Sequence, residues 1–142
     1  MSKLYKRDGR RFVEVPDYRG MYYNNDGTFS KERKSNSIAR CVNQSPTDIT
    51  LCMLTYGKNK TWEEAKIFCA DLIDGGYLPE IHELLMARNL FPDLFPKSGF
   101  VWSNTEYVSS YARSLSLSGV VVDYDPKDYG GSFVFVFLKL PI

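Results

Sequence analysis

Apolar and polar positions alternate along this 142-residue chain in different rhythms, and each rhythm predicts a different element. Near the start, Leu4 and Tyr5, then Phe12, Val13 and Val15, flank the turn pair Asp8-Gly9, which reads as a β-hairpin. From Pro16 to Thr47 no period is sustained. Asn24-Asn25-Asp26-Gly27 and Lys31 to Ser37 are polar and turn-forming, with aromatic islands at Tyr22, Tyr23 and Phe29, so loops and short strands are expected there. Ile49 to Tyr56 is apolar and β-branched at its start, the pattern of a buried strand.

The period then lengthens. Thr61-Trp62-Glu63-Glu64 has the capping-box spacing, a hydroxyl three residues before a carboxylate, with both acids at the positive end of the helix. Trp62, Ala65, Ile67, Phe68, Cys69 and Leu72 supply the apolar face before Gly75-Gly76, which permit a left-handed exit. A second helix is expected from Pro79, as a first-turn residue, through Ile81, Leu84, Leu85 and Ala87 to Asn89. After a proline-containing loop, Phe91 to Gly99, strands are expected at Val101-Trp102, Tyr111 to Leu117, Val120 to Tyr124 and Phe133 to Leu140. The last, FVFVFLKL, is apolar on both faces and belongs near the centre of a sheet. The fold class is α+β: two packed helices on an antiparallel sheet, in one domain over 1–142, with a hairpin and loop-rich basic region over 1–60 and a core over 61–142.

Composition narrows the function classes. Ten Tyr and nine Phe stand beside one His and three Cys, a stock suited to recognition and poor for metal or nucleophile chemistry. Cys41, Cys52 and Cys69 are odd in number and lack CxxC spacing, so buried, reduced thiols of a cytoplasmic protein are expected, with one disulfide plus a free thiol as the alternative. The net charge of +1 hides +6 over residues 1–60 (12 basic, 6 acidic) and −5 over residues 61–142 (6 basic, 11 acidic). The basic residues are scattered and unframed by a nucleic-acid motif, so a solvated basic face is expected rather than nucleic acid. Met1 to Arg11 is polar where a secretion signal needs an apolar segment, and Phe133 to Leu138 is the longest apolar run, so no membrane association is expected.

In order, "TWEEAKIFCADL", "GGYLPEIHELL", "VWSNTEY" and "YARSLSLSGVVV", followed by a closing hydrophobic strand, resemble the Lcl-type C-terminal domain, a bacterial and phage family within the C-type-lectin-like and formylglycine-generating-enzyme fold group. The resemblance spans residues 61–140. It departs from the family where Leu78-Pro79 follows Tyr77 without the usual Arg and where Glu80 replaces Thr. It implies a C-type-lectin-like core for 61–142. It also implies a family whose members sit at the ends of secreted adhesins or phage tail proteins and contact glycans or receptors.

The oxidising relatives use cysteines near the end of the domain, and no Cys follows Cys69, so their catalysis is not expected here. His82, beside Glu83 at the start of the second helix, is the one imidazole a hydrolase would need, and an exposed or capping role is the expectation. Calcium, which lectin relatives hold, would draw on Asn104 and Glu106 or on Asp123, Asp125 and Asp128. That acidic group lacks the glycine and terminal glutamate of an EF-hand, so no metal or other cofactor is expected. Glu83 and Glu106 are expected to satisfy backbone or hydroxyl donors, with Trp62 and Trp102 as core anchors.

Rigid amphipathic rings with small polar neighbours remain: Tyr107, Tyr111, Tyr124, Asp125, Asp128 and Tyr129, among Ser109, Ser110, Gly130 and Gly131. That composition predicts a binding surface. The expectation is a non-enzymatic phage or mobile-element protein that binds and blocks a host protein in the cytoplasm. The alternative is a glycan or receptor adhesion module.

Overall fold

A strand that is apolar on both faces has to be covered twice, and the chain ends on such a strand. The computed structural model describes residues 3–142; Met1 and Ser2, the start of the polar N-terminal segment, lie outside the described residues. The strands are β1 (Leu4–Asp8), β2 (Arg11–Val15), β3 (Tyr22–Asn24), β4 (Phe29–Ser30), β5 (Ser37–Gln44), β6 (Asp48–Lys60), β7 (Phe100–Val108), β8 (Tyr111–Ser116), β9 (Val121–Pro126) and β10 (Ser132–Pro141). The helices are α1 (Trp62–Leu72) and α2 (Ile81–Leu90), and a single 3₁₀ turn, Pro92–Leu94, follows α2. The fold is α+β.

β1 and β2 form their own ribbon, and the other strands make an eight-stranded sheet in the order β4-β3-β5-β6-β10-β7-β8-β9. β10 lies inside the sheet, as its two apolar faces predict. The sheet is mixed rather than antiparallel throughout: β10 runs antiparallel to β6 but parallel to β7, meeting it at Phe133 and Val101. The long ladder with β6 fixes the direction of β10, and the β7-β8-β9 meander fixes that of β7, so the two agree only along the short stretch where they touch.

Alternation along β10 divides the core into two layers. Val134, Val136 and Leu138 pack with Trp62, Ala65 and Cys69 of α1 and with Trp102, Ile49 and Leu51. Phe135 and Phe137 face the other way, onto Leu84 and Ala87 of α2 with Val101, Leu115 and Phe95. The helices therefore cover opposite faces and do not form a packed pair, because neither face of β10 can be left to water.

α1 begins as its sequence predicts. Thr61 Oγ1 accepts the Glu64 N–H at 3.3 Å while the Glu64 carboxylate accepts the Thr61 N–H at 2.9 Å, closing the capping box. Its apolar face is narrower than the pattern suggested, for Ile67 is 60% exposed. Gly75 takes a φ of 80°, so the left-handed residue lies beyond the helix end, and Gly76 needs no such conformation. Pro79 precedes the cap of α2 rather than opening the helix: Glu80 is the N-cap, and it and Glu83 form a second, all-carboxylate box.

The largest departure from the sequence pattern is β5. Eight residues within the stretch expected to hold loops and short strands form an interior strand between β3 and β6, with Ala39, Cys41 and Val42 buried. Arg40 conceals it. Its guanidinium lies 4.9 Å from the Tyr22 ring centre and 4.5 Å from that of Phe91, and pairs with Asp93 at 3.0 Å, so a charged residue occupies a strand interior with its charge answered by rings and a carboxylate.

The α1 cap gives a direct test. Thr61→Ala is expected to lower unfolding free energy by about 1 kcal/mol, read from urea denaturation at neutral pH. Accepting the Thr61 N–H holds the Glu64 carboxyl below its ordinary value of 4.5, so its contribution is present above that value and fades as pH falls through the lowered one. The wild-type advantage over Glu64→Gln should shrink along that same acid limb.

Candidate functional site

Three of the predicted binding residues meet on one surface. β7, β8 and β9 end the sheet, and the register sets Arg113 opposite Tyr124 and Tyr111 opposite Pro126. Residues two apart on a strand share a face, so Tyr111 and Arg113 stand beside Tyr124 and Val122. Tyr107 stacks on Tyr124 with ring centres 4.5 Å apart and planes at 24°, and Tyr111 meets Tyr124 edge-on at 5.8 Å. The Arg113 guanidinium lies 4.3 Å from the Tyr107 ring centre. All three tyrosines remain more than a third open to solvent although their rings are ordered against one another. Arg113 is the member that composition alone did not single out; its place two residues after Tyr111 on a strand was the available signal.

The other three residues lie apart from that cluster. Asp125 sits one residue from Tyr124 and so points to the opposite face, where its carboxylate accepts the hydroxyl of fully buried Ser114 at 2.7 Å. Its surroundings give it a structural task. Asp128 lines a shallow cleft with Ser110, Tyr111 and Lys127, and the Tyr129 ring lies against Gly131, where a β-carbon would meet its hydroxyl oxygen. Lys127 organises this loop: its ammonium pairs with Glu106 at 3.0 Å, donates to the Ser109 carbonyl at 2.8 Å, and lies 4.4 Å from the Trp62 ring centre. Lys66 covers the same ring at 3.7 Å.

The calcium and hydrolase candidates find other partners or none. Asn104 Nδ2 donates to Glu80 at 3.3 Å and Glu106 is paired with Lys127, so neither carries a free ligand set. Among the described residues no three His, Cys, Asp or Glu side chains converge to hold a metal ion. Glu83 accepts the Glu80 N–H at 3.1 Å and the Tyr77 hydroxyl at 2.8 Å, the donor-satisfying role its position suggested. Burial, and after it that carboxylate, push the Tyr77 hydroxyl up, so it stays protonated. His82 is exposed and bonds to no described residue; it borders a cleft beside Glu83. The three thiols are free and buried, and burial pushes Cys41 up to about 11 and Cys52 and Cys69 up to about 12, which keeps them protonated and unreactive. Trp62 and Trp102 anchor the core through reciprocal indole donations, to the Ser103 and Lys60 carbonyls, each at 2.8 Å.

No protein-family model matches the chain, and no curated protein matches its sequence. No helix among the described residues is long and apolar enough to cross a membrane.

The two aspartates should separate in a stability measurement. Asp125→Ala strands the buried Ser114 hydroxyl and is expected to cost about 1–2 kcal/mol in urea denaturation. Asp128→Ala, at an exposed position, should stay within about 0.5 kcal/mol of the parent.

Proposed function

We propose that the chain is a non-catalytic binding module of C-type-lectin-like fold that grips a protein partner through Tyr107, Tyr111, Arg113 and Tyr124. The supporting observation is the pre-stacked array itself: three exposed rings and a guanidinium held by mutual contact at the end of a sheet, the residue types that dominate binding energy at protein interfaces. Tyrosine suits this work because its two side-chain torsions leave little entropy to lose on binding. Asp128, exposed beyond Tyr111, and Tyr129 extend the surface along the β9–β10 connection. Asp125 supports it from below through Ser114.

The resemblance to the Lcl-type family, which is bacterial and phage, supports a phage or mobile-element protein, and the simplest use of such a surface is to occupy and block a host protein in the cytoplasm. The protected thiols accord with that compartment. A glycan ligand is the second reading, favoured by one observation: the open outer faces of stacked tyrosines also suit the apolar face of a sugar ring.

The test uses quantitative affinity capture from bacterial lysate, with the parent and a Tyr107→Ala/Tyr124→Ala variant, followed by titration of the captured protein. A stoichiometric protein that binds the variant at least about 30-fold more weakly, roughly 2 kcal/mol, with little change in Tm, supports the protein partner. Equal affinity for both places the interface elsewhere, and glycan-array binding lost in the same variant transfers the reading to sugars.

A further inference from the structure

We infer that the open edge of β9 is a docking site for an extended peptide strand that alternates apolar and basic residues, a partner class that rests on reading this end of the sheet as the binding surface. β9 is the terminal strand, with β8 on one side and no strand on the other. Its ladder to β8 runs without a bulge from Tyr111 opposite Pro126 to Ser116 opposite Val121. The Lys127 N–H donates to the Ser110 carbonyl at 3.0 Å, one residue outside the pair of Tyr111 and Pro126, which marks that pair as one whose members exchange no hydrogen bonds. Alternation then assigns the rest. Asp123 and Asp125 turn their backbone groups to β8, whereas Val122 and Tyr124 turn theirs to the open edge. An edge this regular is a template for another strand, and it is apolar as well as open, for Val121 is 56% exposed, Val122 39% and Tyr124 46%.

The two faces of β9 set the sequence pattern of the occupant. Val122 and Tyr124 share the face of Tyr111 and Arg113, so residues paired with them meet an apolar and aromatic surface. Asp123 and Asp125 lie on the other face, and neither has a cation partner among the described residues. Asp125 accepts the Ser114 hydroxyl at 2.7 Å, and Asp123 accepts the Tyr124 N–H at 2.8 Å. Opposite charges directly across a strand pair stabilise it, so the residues of the guest that face these aspartates are Lys or Arg. Asp123 also guards the edge, because its carboxylate occupies the outward N–H of Tyr124 until a cation draws it away. A second copy of the chain fits less well. The two antiparallel registers of greatest overlap between two β9 strands set Asp123 against Asp123 or Asp125, like charges that repel.

The probes are the peptide acetyl-TKVKVKVT-amide, its counterpart acetyl-TEVEVEVT-amide, and the lysine peptide N-methylated at its valines, each titrated into the ¹⁵N-labelled full chain. The lysine peptide should shift the amides of residues 121–125 with a Kd of about 0.1 mM, and the other two should bind at least about tenfold more weakly. Val122→Pro removes an edge N–H that β8 does not use, so it should weaken the lysine peptide at least about tenfold with a native-like spectrum, while Val122→Thr should retain it. Asp123→Asn should cut the preference for lysine over glutamate several-fold. Equal affinity of the N-methylated and parent peptides, no preference for lysine over glutamate, or no shift at about 5 mM lysine peptide would each overturn the assignment. Self-association of the free protein that Val122→Pro abolishes would give the edge to a second copy instead. The tyrosine surface is judged separately: a captured protein that loses affinity in Tyr107→Ala/Tyr124→Ala but binds Val122→Pro like the parent keeps that surface and discards the edge.

Discussion

Burial of β10 on both faces is the constraint from which the rest of the molecule follows. Between Val134 and Leu138 no side chain is more than 7% exposed, and successive residues enter different layers. At roughly 1.5–3 kcal/mol for each large apolar side chain removed from water, neither layer is dispensable, and each needs a helix as its cover. One helix therefore goes to each face. Because β10 is paired on both edges, with β6 along most of its length and with β7 at Phe133, the last strand of the chain also joins the strands of the first half to those of the second.

The cover on the second layer leaves part of that face open. α2 is ten residues long and cannot roof the whole face. Toward β8 and β9 the sheet continues past the helix, and the rings of Tyr107, Tyr111 and Tyr124 shield one another in place of a roof. Toward β5 and β6 it continues as the polar row of Asn43, Thr50 and Lys139. Helix position is in turn set from outside the helix. Glu80 ties its start to Thr105 on β7, and Phe91, just past its end, stacks against Arg40 of β5.

Local signals were legible and long-range ones were not, for identifiable reasons. The hairpin, the α1 capping box and the central place of β10 follow from neighbouring residues or from period alone, and each is in the structure. β5 was hidden because Arg40 looks like a surface residue until Tyr22, Phe91 and Asp93, from separate parts of the chain, assemble around it. The helices were read as a pair because two adjacent amphipathic segments do not say which face of a later strand each will cover. Within the candidate surface, composition brought six residues together, whereas alternation along β9 sends Asp125 to the face opposite Tyr124. Reading that alternation in β8 would also have added Arg113 beside Tyr111.

Sheet order also gives physical meaning to the charge asymmetry. The first sixty residues carry +6 and the remainder −5, and their strands lie on opposite sides of β10: β3 to β6 on one, β7 to β9 on the other. That separation carries over to the sheet only in part, because Glu63, Glu64, Asp71 and Glu83 lie on the helices that cover it and Lys6, Arg7 and Arg11 on the separate β1–β2 ribbon. Around the tyrosine array the carboxylates are largely placed elsewhere or answered, for Asp123 and Asp125 alternate to the face opposite Tyr124, while Lys127 pairs with Glu106 and Arg113 lies on Tyr107. Exposed charges of this kind add little to affinity in salt, but they orient an approaching molecule within a Debye length of about 8 Å.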